Sequence, residues 1–442
     1  MKTAVQFSNP FVLIFLIGTI VSFLLNHFLE FVDYKARCKN GGTLPDEIKS
    51  VPGAAELFDM EKLSKICQYE NAKYFQYIPS SLCVIILEIL LVIFGFYPFI
   101  FNTVCNWIGG IPQTVGKCFI CFLLFTALSS IPSGIISIPF NLYREFHTEK
   151  KFGFSHMTFK LWITDQIKSL AISLIFAALL TFIASLFFVK CPQSWWFILA
   201  AVLIVFTFIM QIIYPKFIAP LFNKFEPLPE GEVKDKIMEI LNKTGFSNGG
   251  LFVMDESKRS GHSNAYFTGF GKTKRIVLYD TLVKSLTPDE LASVLGHELG
   301  HYKLHHITRK LFIVIPLEFL LMFALYKLAQ LPMLYSGFGF NSISISEISS
   351  AQFIGLYLAV MIYGAVSEII SPLVNYFSRK DEFAADAYAA KVCGTGENLI
   401  SGLIKLNSEN LSELLPPKIY VFWNFSHPSL IERIQALKKS NS

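Results

Sequence analysis

The sequence predicts an α-helical, multi-pass membrane protein, and two observations lead to this class. The first is composition: of the 442 residues, 53% are hydrophobic, 16% are charged and 44 are Phe. Soluble domains carry about 25% charged residues, so the composition excludes a disordered chain, a coiled coil and an ordinary cytosolic enzyme. The second is the presence of seven separate apolar runs. The net charge of +5 is small, and no nucleic-acid binding is predicted.

Each apolar run is long enough to cross the hydrocarbon layer as a helix, which takes about 20 residues. The predicted spans are 11–31, 80–101, 118–139, 170–189, 194–213, 310–330 and 351–377. The first run is too long for the apolar region of a signal peptide, and no A-x-A cleavage site follows it, so we predict that it remains as a span. Glu368 lies inside the last run, which indicates either a wet interior or the membrane rim for that span.

The loops between the spans differ strongly in positive charge. The segments 32–79, 140–169, 214–309 and 378–442 hold 7, 5, 13 and 8 Lys and Arg residues, whereas the opposite loops hold Lys2, Lys117, Lys190 and Lys327. Cytoplasmic loops of membrane proteins carry the excess of Lys and Arg. We therefore expect an outside or lumenal N-terminus and a cytoplasmic C-terminus. The bacterial plasma membrane and the endoplasmic reticulum both remain open as the location.

The spans divide the chain into four parts. These are a membrane region at 1–213, a cytoplasmic segment at 214–309, two further spans within 310–377 and a cytoplasmic C-terminal segment at 378–442. The second part begins with a Pro-rich stretch and carries short periodic patterns. They predict a helix over Glu232–Lys243, strands at Leu251–Met254 and Arg275–Tyr279, and a possible third strand at Ser263–Thr268.

A candidate metal site lies in a predicted helix of the cytoplasmic segment. The residues at 287–290 have the Thr-Pro-Asp-Glu pattern of a capping box, which predicts a helix that starts there and runs on towards the sixth span. Within it, His297 and His301 are four residues apart and lie on one helical face, where two imidazoles can bind one zinc ion. Glu298 projects near that face and can take a proton from an attacking water, as in zinc peptidases. A role as buried core histidines is the weaker alternative.

A catalytic zinc needs a third protein ligand. His305 is unsuitable, because eight residues of helix separate it from His297 by about 12 Å, and we expect His305 and His306 to lie beside the site or at the membrane interface. The Ala-rich segment 378–389 predicts another helix, with Glu382 and Asp386 on one face. Glu382 is the candidate ligand, and Asp386 the acceptor that fixes the tautomer of a zinc-bound histidine. The neighbouring Arg379, Lys380 and Asp381 are predicted to be solvated.

Two weaker features fit the same chemistry. The segment 261–269 has the pattern of an exposed strand, and a free strand edge can pair with an extended peptide. His427 and Arg433 place polar donors after the predicted Glu382 helix, where a donor near the scissile carbonyl would stabilise the oxyanion. Either feature alone is also compatible with an ordinary protein surface.

With these residues in place, the chain resembles the integral-membrane type I CAAX prenyl endopeptidases, which are gluzincin zinc metalloproteases. The matching motifs are HELGH at 297–301, SRKDEFAADAYA at 378–389, SNAYFTG at 263–269, SHP at 426–428 and IAPLFNKFEPLPEGEV at 218–233. The likeness covers most of the chain. One departure is Ser155, which stands where the family usually has Asn.

The resemblance implies seven transmembrane helices around a water-filled chamber, with a cytoplasmic gluzincin-type domain that carries a few short strands. It also implies a role for each candidate residue: zinc ligands His297, His301 and Glu382; general base Glu298; supporting Asp386; substrate-backbone contacts Asn264 and Ala265; and site-lining His427 and Arg433, the former as a catalytic donor.

The predicted function is therefore a membrane-embedded zinc metalloendopeptidase with one Zn²⁺ per chain. Its expected partners are membrane lipid and a peptide or prenylated peptide that is cut near a lipidated C-terminal Cys. A quality-control protease that degrades damaged membrane proteins is the alternative with the same chemistry. A non-enzymatic transporter or scaffold is disfavoured, because Glu298, the residue that such a protein no longer needs, is intact.

Overall fold

The computed structural model describes residues 5–246, 250–268 and 275–440, which form a largely α-helical protein. Its N-terminal half contains six long helical segments: α1 (Pro10–Asn40), α2 (Met60–Ile93), α3 (Phe96–Ile108), α4 (Val115–Phe152), α5 (Phe159–Lys190) and α6 (Trp195–Leu221). Five of them, all except α3, are long and apolar enough to cross a membrane. Several large side chains on α5, such as those of Leu170 and Ile175, are exposed and form a surface suited to lipid.

The second predicted span is where the structure differs most from the hydropathy pattern. α2 begins at Met60, twenty residues before the predicted start, because the Asp59 side chain accepts a hydrogen bond from the Lys62 backbone N–H and caps a polar first half. The helix ends at Ile93, and Gly95 then adopts the left-handed conformation (φ 64°) that separates α2 from α3. The predicted span 80–101 therefore covers parts of two helices.

A small mixed sheet occupies the segment after α6. In chain order the elements are β1 (Phe225–Pro227), α7 (Glu232–Lys243), β2 (Leu251–Met254), β3 (Ala265–Thr268), β4 (Arg275–Tyr279), α8 (Asp280–Ser285) and α9 (Pro288–Lys303). The strand order is β1-β2-β4-β3, with β2 and β4 parallel and both outer pairs antiparallel. The predicted bounds of α7, β2 and β4 are confirmed, and the possible third strand begins two residues later than predicted. β1 was not predicted.

The helix that carries the two candidate histidines packs one face on this sheet. Leu291, Leu295 and Leu299 of α9 are buried in a core that also contains Ile276 and Leu278 of β4. The capping box at its start is confirmed: the Thr287 hydroxyl accepts from the Glu290 N–H, and the Glu290 carboxylate accepts from the Thr287 N–H. Since the leucines face the sheet, the histidines of α9 point away from it.

The C-terminal part consists of α10 (His306–Ala329), α11 (Pro332–Gly337), α12 (Gln352–Cys393), α13 (Glu397–Glu409), α14 (Lys418–Asn424) and α15 (Leu430–Ser440). α10 and α12 complete the seven candidate spans among the described residues. The expectation that α9 continues into the sixth span is wrong. α9 ends at Lys303, and His305 has a φ of 56°, a left-handed conformation that separates the two helices.

Cavities lie between the long helices. One of about 630 Å³ is bounded by α1, α2, α3, α4 and α12, and its lining mixes apolar side chains such as Phe15 and Ile85 with the polar Asn26 and Glu88. A carboxyl group at such a position faces water or protein rather than lipid. The single large chamber expected from the family resemblance stays a prediction.

Candidate active site

Close contact between α9 and α12 brings the predicted ligands together. Gly300 of α9 lies directly against Ala385 of α12, so that a Cβ added to the glycine would be 2.9 Å from the Ala385 Cα. One turn earlier, Gly296 faces Ala389 less tightly. Only small side chains on both helices permit this approach. The spacing of small residues was the signal for it in the sequence, and it was missed.

Ligand atoms of three residues meet where these helices touch. The Nε2 atoms of His297 and His301 are 3.2 Å apart, and they lie 3.2 and 3.3 Å from the two carboxylate oxygens of Glu382. Ligands at about 2.0–2.1 Å from a tetrahedral zinc ion are separated by about 3.3 Å. The predicted set His297, His301 and Glu382 is thus brought to the spacing of a zinc site. The Glu382 Oε2 accepts no hydrogen bond from the described residues, so it is available to a metal ion.

Asp386 and Arg433 hold the first histidine in place. Asp386 Oδ1 is 2.7 Å from His297 Nδ1 and accepts its N–H, which leaves the Nε2 lone pair directed at the metal position. The Arg433 guanidinium donates to both oxygens of Asp386, from Nε at 2.8 Å and from Nη2 at 2.6 Å. Both groups are buried or nearly so. The planar guanidinium therefore orients the carboxylate that orients the imidazole.

A second chain of polar groups supports the other histidine. His301 Nδ1 is 3.0 Å from His306 Nδ1, and His306 Nε2 is 3.9 Å from Asp381. His306 thus lies beside the site, as expected. The prediction that Asp381 is solvated is wrong: it is 2% exposed, and its carboxylate pairs with Arg309 at the start of α10 and with Lys310.

Glu298 lies half-buried next to the ligand cluster. Burial raises the pKa of its carboxyl group, the nearby Glu382 raises it further, and the two histidines act in the opposite direction. A carboxylate with a raised pKa is a better proton acceptor than an exposed one. Glu298 lies next to the two histidines but is not one of the three residues whose ligand atoms come together. Its position therefore suits a base rather than a metal ligand.

His427 lies at the open side of the cluster. Its Nε2 is 3.5 Å from Glu382, and its side chain is 63% exposed. The Ser426 hydroxyl lies 2.9 Å from its Nδ1. When that hydroxyl donates, the ring proton is on Nε2, the nitrogen nearest the site, which can then donate to an oxygen.

Within the described part of the chain, the predicted substrate strand lies at one edge of the sheet, because β3 ends the strand order with β4 as its neighbour. Asn264 is exposed at the start of β3, where its backbone oxygen accepts from the Tyr279 N–H and its side chain accepts from the Ala265 N–H. β3 also contacts α9, the helix of the two histidines. Gly269, at the end of the predicted motif, lies outside the described residues.

Two family models match the chain. The model for the N-terminal part of CAAX prenyl proteases, with five membrane helices, matches residues 34–224, and the model for peptidase family M48 matches residues 227–441.

Curated proteins and a solved structure are similar over nearly the whole length. The chain is 34% identical to a CAAX prenyl protease 1 homolog of Dictyostelium discoideum, over 96% of this chain and 97% of that protein. It is 33% identical to CAAX prenyl protease 1 of Saccharomyces cerevisiae, over 99% and 97%. The crystal structure of S. mikatae Ste24p superimposes with a TM-score of 0.85 at 32% identity and covers 97% of this chain and 99% of that one.

Proposed function

Because the chain belongs to peptidase family M48, and is a membrane-embedded metalloendopeptidase of the CAAX prenyl protease type, we propose that its substrate is a peptide with a prenylated cysteine near the C-terminus. The relatives that match over their whole length carry this substrate class in their names. One observation supports the chemistry most directly: the two histidine Nε2 atoms and the Glu382 carboxylate lie 3.2–3.3 Å from one another, with Glu298 close enough to interact electrostatically with all three residues.

We propose that His297, His301 and Glu382 hold one zinc ion. The fit rests on the donor set, two imidazole nitrogens and a carboxylate, and on their separations of 3.2–3.3 Å. When bound at such a site, zinc polarises the scissile carbonyl and makes water more acidic. Asp386, held by Arg433, keeps His297 in the tautomer that presents Nε2.

Glu298 is the proposed general base. It takes a proton from the attacking water and passes it to the departing amine, for which its raised pKa is suited. His427 is exposed beside Glu382, whereas Arg433 is largely buried and donates to both oxygens of Asp386. We therefore assign the donor to the developing oxyanion to His427 and a positioning role to Arg433. Asn264 and Ala265 are proposed to bind the substrate backbone along the edge of β3.

The experiment compares a farnesylated peptide with its unprenylated twin on purified protein in detergent or lipid discs. We expect the farnesylated peptide to be cut faster, and Glu298→Gln to retain zinc while losing about 10² or more in rate, because an amide cannot accept the proton. His297→Ala and Glu382→Ala should lose most of the metal, which is about one zinc per chain in the wild type.

Each outcome separates one part of the proposal. Equal cleavage of both peptides favours the quality-control protease that has the same chemistry. Full zinc occupancy in Glu382→Ala contradicts the ligand set, and loss of zinc in Glu298→Gln contradicts its assignment as a residue that does not bind the metal. We also propose that the site faces the cytoplasm, because the segments that build it carry most of the Lys and Arg residues.

A further inference from the structure

A cavity of about 670 Å³ connects the candidate active site with a second group of charged residues. His427 and Arg433, next to the proposed metal ligands, line this cavity. So do Asp33, Glu70 and Glu413, which we call the acidic cluster. They come from three parts of the chain: the last third of α1, the first third of α2 and the loop after α13. A peptide held at the proposed metal site would thus lie beside a cavity whose lining includes these three carboxylates.

The acidic cluster is built around one buried arginine. Arg37 Nη1 lies 3.0 Å from Asp33 Oδ2, 2.5 Å from Glu413 Oε2 and 4.0 Å from Glu70 Oε2. The side chains of Arg37 and Asp33 are 2% and 5% exposed. Burying this many charges costs folding free energy unless each charge has a partner of opposite sign. The charges of the cluster must therefore be counted.

The charges of the cluster do not balance. Three carboxylates face Arg37 and the half-exposed Lys73, which pairs with Glu70 at 2.8 Å, and one negative charge remains unmatched. The Asp33 Oδ1 atom is buried and accepts no N–H or O–H from the described residues. The Glu413 carboxyl is within hydrogen-bonding reach of Asp33, but it can donate only when it is protonated.

A proton takes the place of the missing cation. Burial, together with the neighbouring Asp33, raises the pKa of Glu413 to about 8, although Arg37 opposes the shift. A carboxyl group with such a pKa carries a proton at neutral pH. The fold therefore supplies one more carboxylate than its own cations neutralise, and a proton balances it at a place that opens into the cavity beside the candidate active site.

We propose that the acidic cluster is a subsite for one positively charged side chain, Lys or Arg, of the peptide that is being cleaved. The inference rests on the proposed function, because the cavity joins the cluster to the site of cleavage. A single ammonium or guanidinium group would displace the proton of Glu413, and its N–H groups would then donate to Asp33 and Glu413 in place of that proton. A divalent ion suits the cluster less well, because two positive charges exceed the one negative charge that Arg37 and Lys73 leave unmatched.

The test moves a single lysine along a substrate. The probe is a fluorogenic farnesylated peptide that is otherwise uncharged, with Lys or its uncharged analogue norleucine at each position in turn. At one or two positions we expect the wild type to prefer Lys over norleucine by about tenfold in kcat/KM, the usual effect of a hydrogen bond to a charged group. Glu413→Gln and Asp33→Asn should reduce that ratio to near one.

The controls keep folding apart from recognition. The ratio of two substrates on one preparation does not depend on how much protein is folded, and Glu413→Gln retains the Arg37–Asp33 pair if Asp33→Asn is unstable. Glu61→Gln removes an exposed carboxylate from α2, outside the cavity, and should keep the wild-type ratio.

Two results would overturn the inference. One is the absence of a Lys preference at every position, and the other is a preference that survives in both cluster variants. Failure of the proposed function is distinguishable, because the wild type then cleaves no probe peptide. In that case the affinities of Glu298→Gln for the Lys and norleucine peptides, measured by fluorescence anisotropy, decide the inference by the same ratio.

Discussion

The tight contact between α9 and α12 predicts that one methyl group disables the enzyme. In Gly300→Ala the new Cβ would lie 2.9 Å from the Ala385 Cα and 3.0 Å from the Ala385 oxygen, whereas carbon atoms in contact are about 3.5–4.0 Å apart. The two helices must therefore separate by about 0.6 Å or more at this point. His301 and Glu382 adjoin this contact, and their ligand atoms, now 3.3 Å apart, would separate with the helices.

The expected loss is larger in activity than in stability. Overpacking costs about 1–3 kcal/mol, and the helix propensity of Ala over Gly returns about 1 kcal/mol, so unfolding should become easier by about 0–2 kcal/mol. Functional geometry must hold to about 0.5 Å, and a displacement near 1 Å costs about 10²-fold in rate. Zinc content by mass spectrometry, cleavage of a farnesylated peptide and thermal unfolding are measured on one preparation.

Gly296→Ala is the matched control on the same helix. Its added Cβ would be 3.3 Å from the Cys393 sulfur and 3.5 Å from the Ala389 Cα, contacts that small shifts of a side chain relieve. This variant should keep its zinc and at least a third of its activity. Wild-type turnover and zinc in Gly300→Ala, or equal damage in the two variants, would refute the argument that the helix contact sets the ligand spacing.

Three further predictions concern orientation, metal support and folding. A reporter fused after Ser442 should be active in the cytoplasm only, as the Lys and Arg bias predicts, and external activity would mean that the number of spans is wrong by one. Asp386→Asn should weaken zinc binding by about 10–100-fold in competition with a chelator, and unchanged resistance to the chelator would contradict its role. Glu290 is buried, yet hydrogen bonds from Lys405, Ser401 and Thr287 outweigh burial and lower its pKa. The ionised Glu290 should therefore stabilise the fold above about pH 4.3, the usual pKa of a free Glu, and this stabilisation should be lost as the pH falls through its lower folded pKa. The measurement compares the free energy of unfolding in urea of the wild type and Glu290→Gln at neutral and at acidic pH. A difference between the two proteins that does not shrink in acid would disprove this.

The sequence predicted the number of membrane helices well and their ends poorly. Hydropathy detects the apolar part of a helix, but α2 starts twenty residues before that part. Asp59 caps this first stretch, and its apolar side chains, such as Leu63 and Ile66, pack in a core with other segments of the chain. In the same way, the end of α9 depends on a left-handed residue, His305, that is neither Gly nor Asn. Local pattern alone carries no signal for that break.

The proposed zinc ligands were predictable in part because helical periodicity alone places His297 beside His301, and Glu382 beside Asp386. How the two helices meet was not derivable from periodicity. It depends on Gly300 lying against Ala385, and on Arg433, which joins α15 to Asp386 over 47 residues of sequence. The prediction for Asp381 failed for a related reason: its partner Arg309 comes from a different helix, so the charge run looked solvated when it was viewed alone.

The left-handed turn at His305 also has a consequence for which bond of a substrate is cut. His301 lies five residues before His306, where the candidate span α10 begins. Glu382 lies within α12, the helical segment that forms another candidate span. Among the described residues, no long loop separates the candidate site from α10 and α12, so we expect the distance between the site and the lipid surface to be fixed. A substrate anchored in the membrane by a lipid tail can then reach the site only with a bond that lies a certain number of residues from the anchor. We expect this number of residues to matter as much for cleavage as the identity of the side chains.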